Sequence, residues 1–327
     1  MQGPVALAYG EVGIVGVVET RVWTSRDGRE WTPVGAVPDT QDATMADVSA
    51  GSAGFVVVGS RAPCRTASGA VVLAAACVKV PPGQAAVWVS TDGTVWDSVA
   101  DGDLDPPTDR SFLTMQAVTA GLAGFVAVGN ESMDEGTVTK AAAWVSPDGR
   151  VWTRASDSAA FANAGMSDVV ETDGGFFAVG FQDLAARVWR SADGLGWTVV
   201  DPRIGPFNLM SVAASSRGFV VAGLGGTTRR LWTVWASPDG AAWTQASLPV
   251  ELEDEHIGLR SLVAVDNGFL GASERGIWAS PDGLDWVKVA GEMDAFYAVA
   301  VRSGRAVATG NDPEMVPVAW TGPAGVP

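Results

Sequence analysis

A nine-residue frame, Trp-x-Ser-x-Asp-Gly-x-x-Trp, recurs six times along the chain and takes up 12 of its 14 tryptophans. It occupies residues 23–31, 88–96, 144–152, 189–197, 235–243 and 278–286; a seventh copy begins at Trp320 and decays into Thr-Gly-Pro-Ala-Gly. The frame serines, Ser25 to Ser280, stand 65, 56, 45, 46 and 43 positions apart. That spacing suits four-stranded blades once insertions are allowed. All 327 residues can then belong to one closed repeat body.

Each frame follows a second repeated run, as in Gly54-Phe-Val-Val-Val-Gly59, Gly124-Phe-Val-Ala-Val-Gly129 and Gly175-Phe-Phe-Ala-Val-Gly180, with weaker versions at Gly13 and Gly304. Upstream of each lies another short apolar run, such as Met45-Ala-Asp47-Val48, Met115-Gln116-Ala-Val118 and Met166-Ser-Asp168-Val169. Together with the two arms of the Trp hairpin this makes four strands per unit. Asp-Gly supplies the backbone conformations of a tight hairpin turn, and the Ser and Asp side chains can accept turn amides. Asp27, Asp92, Asp148, Asp193, Asp239 and Asp282 are therefore read as turn-builders, because six identical active sites are implausible.

These hairpins resemble the Asp-box (BNR) repeats of the sialidase-like propeller superfamily, whose usual form is Ser-x-Asp-x-Gly-x-Thr-Trp. Every copy here departs from that form by placing Gly directly after Asp. The resemblance covers the whole chain and implies an all-β, seven-bladed propeller of four-stranded blades, one domain over residues 1–327. Nothing strand-like follows Trp320, so either blade seven is three-stranded or the sequence stops short of its outer strand. The family pattern puts the box on the outer part of the blade, away from the ligand site. It puts the innermost strands around a central channel whose mouth carries the ligand.

Transferred to this chain, that pattern sets Asp47 and Asp168 at one register of the inner strands, with Tyr297 at the same register in blade seven. Gln116, Arg260 and Phe296 stand one position earlier. His256, the only histidine, lies in the loop into blade six, and Tyr9 and Tyr297 are the only tyrosines. Blades six, seven and one are consecutive in a ring, so His256, Tyr297, Tyr9, Arg260 and Asp294 are expected in one sector. His and Tyr exchange protons and Arg holds carboxylates, so this sector is a candidate for acid/base chemistry. Asp47 and Asp168 are the alternative carboxylate pair, with a separation suited to an inverting glycosidase. Sialidase activity is not expected: the early Phe/Tyr-Arg-Ile-Pro motif and an arginine triad are absent. Arg110, Arg229, Arg230 and Arg275, with acidic partners such as Glu131 and Glu274, supply further polar groups for a ligand at the mouth.

A formal charge of −16, with three lysines among 21 basic residues, disfavours nucleic acid and anionic membrane surfaces as partners. No apolar run is long enough to span a bilayer. Cys64 and Cys77, the only cysteines, lie in an insertion at 60–84 of blade two and are expected to form a local disulfide. Such a pair points to an extracellular or cell-envelope protein, whose signal sequence would have been removed ahead of Met1. With no Cys/His cluster, neither a metal nor a cofactor is expected. The leading expectation is an exported, monomeric, ligand-binding propeller taking a glycan, peptide or small molecule. A hydrolase or lyase and a protein-interaction scaffold are the alternatives.

Overall fold

The computed structural model describes residues 6–62, 64–65, 78–79, 82–133, 137–226, 231–252, 257–291, 295–312 and 317–326. Among these residues the chain forms six antiparallel four-stranded sheets and one three-stranded sheet, the blades of a propeller. Their inner strands are Ala6–Tyr9, Ala43–Gly51, Ser111–Gly121, Ala164–Thr172, Phe207–Ser215, Ser261–Val265 and Ala295–Arg302. Each packs against the next, and that of blade seven packs against that of blade one, so the ring closes. Blade seven consists of Ala295–Arg302, Arg305–Asn311 and Pro317–Pro323. In blade two, the short strands Cys64–Arg65 and Val78–Lys79 pair with each other between the second and third strands. The expected disulfide lies outside the described residues, because Cys77 does.

The Trp hairpins are built alike. In all six the Ser Oγ accepts the N–H of the box Gly at 2.8 Å. The Asp Oδ1 accepts the amides two and three residues on, as Asp148 does from Arg150 and Val151. Those amide bonds hold the carboxyls of Asp27, Asp148, Asp193 and Asp239 below the usual range and take Asp92 to about 2. Gly149 shows why the turn needs glycine. Its φ is +77°, and an added Cβ would stand 2.6 Å from Val56 of the preceding blade. The first Trp of a hairpin fills the gap toward that same blade: Trp88, Trp144 and Trp189 are buried, with Nε1 donating to Pro38 O, Asp103 O and Ala160 O. Trp23 and Trp320 stay half-buried, and they flank the three-stranded blade.

A second joint lies on the hairpin side of the ring. The Phe that follows the first residue of the second strand of one blade packs on the turn of the blade before it, as the Phe55 ring does against Gly10 and the Phe125 ring against Gly51. Blade seven has Ala306 at this place. The space toward blade six is filled instead by Ala324, in one apolar cluster with Ala306 and Val265, and by Val326 beside it. Asn267 clasps this tail by its backbone: Nδ2 donates to Val326 O and Oδ1 accepts Val326 N, both at 2.9 Å. Replacing Asn267 with Ala is therefore expected to lower the stability of the ring by about 1–2 kcal/mol. A urea-unfolding midpoint equal to wild type would show that the clasp does not hold the closure.

Candidate functional site

The inner strands are not uniform ladders. In blades two, three, four, five and seven the pairing slips by one residue, at Met45/Asp47, Met115/Ala117, Met166/Asp168, Leu209/Ser211 and Phe296/Ala298. The residue opposite the slip is glycine in all five, Gly59, Gly129, Gly180, Gly223 and Gly310. A Cβ there would run into the carbonyl of the neighbouring inner strand, 1.9 Å from Thr114 O in the case of Gly129. Blades one and six carry Val18 and Ser273 at this place and show no slip among the described residues. The last glycine of the repeated run is thus what permits the bulge.

Each bulge throws one residue out of the ladder: Ala46, Gln116, Ser167, Met210 and Tyr297. Arg260 takes the corresponding place in blade six, where its N–H donates to Ala272 O beside the Ser261–Ala272 pair. Gln116, Met210 and Arg260 are exposed, whereas Ala46, Ser167 and Tyr297 are half-buried. Together they form a collar at the mouth end of the inner strands. Arg260 is further braced, its guanidinium over the Trp232 ring at 5.1 Å and paired with Glu274. Glu274 also accepts Gly258 N at 3.0 Å.

One step below the collar comes a ring of latches. Asp47 accepts Val48 N on Oδ1, at 2.8 Å, and Val118 N of blade three on Oδ2, at 2.9 Å. Asp168 repeats this with Val169 N and with Val212 N of blade five, both at 2.8 Å. Ser211 Oγ accepts Leu262 N of blade six and Ser261 Oγ accepts Val299 N of blade seven, at 3.1 and 3.2 Å. Four blades therefore use one register position to hold the backbone of the next blade. Burial raises the carboxyl pKa of Asp47 to about 6 and, with the charge of Asp47 added, that of Asp168 to about 7. Carboxyls titrating near neutrality are what acid catalysis uses, but both oxygens of each are engaged by amides. Two blades do the same work with serine, so the repeat itself accounts for the pair.

The residues anticipated for the mouth are distributed otherwise than expected. Tyr297 is not equivalent to Asp47; Ala298 is, and Tyr297 is the bulge residue one position earlier. Phe296 is buried between blades, in the place held elsewhere by Met45, Met115 and Met166. Tyr9 pairs with Ile14 next to the first turn, at the opposite end of its strand from the collar. In register it lies four residues from the Tyr297 position, about 13 Å along the strand. The two tyrosines therefore do not share a site. Arg110 is exposed in the loop entering blade three, and Arg275 is exposed in the turn after Ser273. His256, Asp294, Arg229 and Arg230 lie outside the described residues.

Glu131, expected as a rim residue, is buried in an ion cluster. It accepts from Ser111 Oγ at 2.9 Å, Arg154 Nη2 at 2.8 Å and Lys140 Nζ at 3.0 Å. Burial alone would raise its pKa, and these donors outweigh burial and lower it. Among the described residues no three His, Cys, Asp or Glu side chains come together as metal ligands. The roles of Met210, Ser211 and Ser261 were missed by sequence reasoning. The Val that follows this register position in five blades, Val48, Val118, Val169, Val212 and Val299, is a signal that would have aligned the first two.

No protein-family model and no curated protein matches the chain. Solved propellers do. The structure described as YCF48 bound to D1 peptide is similar with a TM-score of 0.62 at 15% identity, covering 97% of this chain and 92% of that chain. Virginiamycin B lyase from Staphylococcus aureus is similar with a TM-score of 0.62 at 8% identity, covering 98% and 94%. The likeness is one of fold. A seven-bladed propeller of this type serves a peptide binder in one case and a lyase in the other, so function has to be read from the site.

Proposed function

We propose that this protein is a ligand-binding propeller that takes a peptide segment or a glycan at the collar. The observation that carries the reading is the collar itself, where bulges present Met210 and Tyr297 in blades five and seven, with Arg260 at the corresponding place in blade six between them and Gln116 on a bulge of blade three. Tyr and Arg recur among the residues that dominate binding energy, and Met is adaptable. The acid/base groups of the channel, Asp47 and Asp168, are occupied in joining blades, which weighs against the hydrolase or lyase reading. Peptide is the better fit of the two ligands, because Arg260 over Trp232 offers a charged group on an aromatic plate. The reading includes export to the cell envelope or medium, on the strength of the cysteine pair, and membership of a variant branch of the Asp-box propellers.

A displayed peptide library and a glycan array, each screened against the wild type, test this. Any ligand found is expected to bind at least about tenfold more weakly to Arg260→Ala and to Tyr297→Ala. Two empty screens would sink the proposal. A ligand indifferent to both substitutions would move the site away from the collar.

A further inference from the structure

Two departures from the repeat meet at the seam between blades seven and one, on the hairpin side of the ring. The residue that opens the second strand is glycine in five blades, Gly54, Gly124, Gly175, Gly218 and Gly268, but Arg305 in blade seven. Opposite the Phe that follows, four blades place alanine on the inner strand, whereas blade one has Tyr9 opposite Ile14. Arg305 and Tyr9 line one pocket of about 360 Å³ together with Arg29, Asp27, Val307 and Thr321. The turn of blade seven takes its positive φ at Ser303 and Gly304, +50° and +74°, so position 305 does not need glycine and can carry a side chain into the pocket.

The charges in this pocket are unequal. Asp27 is committed through Oδ1 to Arg29 N and Glu30 N, at 2.9 and 3.2 Å. Arg29 uses Nε on Thr321 Oγ1 at 3.3 Å, which turns its guanidinium into the seam. Among the described residues the Arg305 side chain has neither a hydrogen bond nor an ion pair. Two guanidiniums against one carboxylate leave one positive charge, on a chain whose net charge is −16.

We propose that this pocket binds a small organic monocarboxylate about the size of one sugar or aromatic ring, its carboxylate on Arg305 and Arg29 and its body against Tyr9 and Val307. A guanidinium fork matches the planar, two-oxygen carboxylate, and a single residual positive charge matches a monoanion better than a phosphate dianion. The volume falls in the range of small-molecule sites and exceeds what a bare ion requires. This site is separate from the collar and does not depend on the reading given to it.

Isothermal titration with D-glucuronate, benzoate, D-glucose and inorganic phosphate, on the wild type, Arg305→Gly and Arg29→Ala, tests the assignment. Glucuronate or benzoate is expected to bind in preference to glucose and phosphate, and each substitution is expected to weaken it about tenfold or more. Arg305→Gly restores the residue five other blades carry, so its melting temperature is expected to match wild type. If it does not fold, Arg29→Ala decides. No carboxylate binding at millimolar concentration, tighter binding of phosphate, or affinity unchanged in the folded variants would each overturn the proposal.

Discussion

Acidification from pH 8 to pH 5 is expected to stabilise the propeller. The carboxyls of Asp47 and Asp168 titrate in the folded ring at about 6 and about 7, against 3.8 for an unperturbed Asp. A pKa raised by folding contributes stability that is complete below the unfolded value and is lost as pH rises through the folded one. The loss therefore begins at about pH 4, above the unfolded value, and is nearly complete by about pH 7, the higher of the two folded values. Each pH unit traversed below a folded pKa is worth about 1.4 kcal/mol, so on going from pH 8 to pH 5 the two groups together contribute on the order of 4 kcal/mol. A rise in melting temperature of roughly 5 °C follows for a chain of this size. Below about pH 4 the hairpin aspartates act in the opposite sense, since their pKa values are lowered and their contribution is lost as protons bind. Maximum stability is expected near pH 4.5.

Thermal melts of the wild type and of an Asp47→Ser/Asp168→Ser double variant check this. Serine is the informative replacement, because Ser211 and Ser261 already accept the equivalent amide in blades five and six. The double variant is expected to fold and to lose most of the slope between pH 5 and pH 8. A flat or falling wild-type curve on acidification would refute the account, as would an unchanged slope in the variant.

Replacing Gly129 with Ala is expected to cost ~4 kcal/mol or more, a very large effect for one methyl group. The added carbon would lie 1.9 Å from Thr114 O and 2.9 Å from Thr114 C, and both belong to backbone that cannot rotate aside. Relief requires the inner strand of blade three to move, and with it the bulge that presents Gln116 and the amide of Val118 that Asp47 holds. Gly35→Ala is the control, since nothing stands within 4 Å of a Cβ there. It is expected to stay within about 0.5 kcal/mol of wild type. Urea unfolding of both separates a steric requirement from a general cost of losing glycine, and equal midpoints would remove the link between glycine and bulge.

Much of the architecture was legible because its causes are local. A Ser, an Asp and a Gly within four residues close each hairpin by bonds to their own neighbours, whatever surrounds them. Counting such hairpins therefore counted blades, and of the two outcomes left open by the decay after Trp320 the three-stranded blade is the one observed. The candidate site was less legible. A bulge adds one residue without disturbing the apolar pattern, so Tyr297 was aligned with Asp47 when it belongs beside Gln116. That single step separates a channel wall from a collar.

The amino-acid sequence by itself determined the repeat, the turns and the number of blades, since hydrogen bonds spanning two or three residues form from the chain's own order. Only the tertiary structure decided what Asp47 and Asp168 do, because their partners Val118 and Val212 lie 71 and 44 residues away and meet them when neighbouring blades are packed. It also decided that Tyr9 belongs to the seam with Arg305, almost a full chain length apart, because ring closure alone brings the first blade against the last.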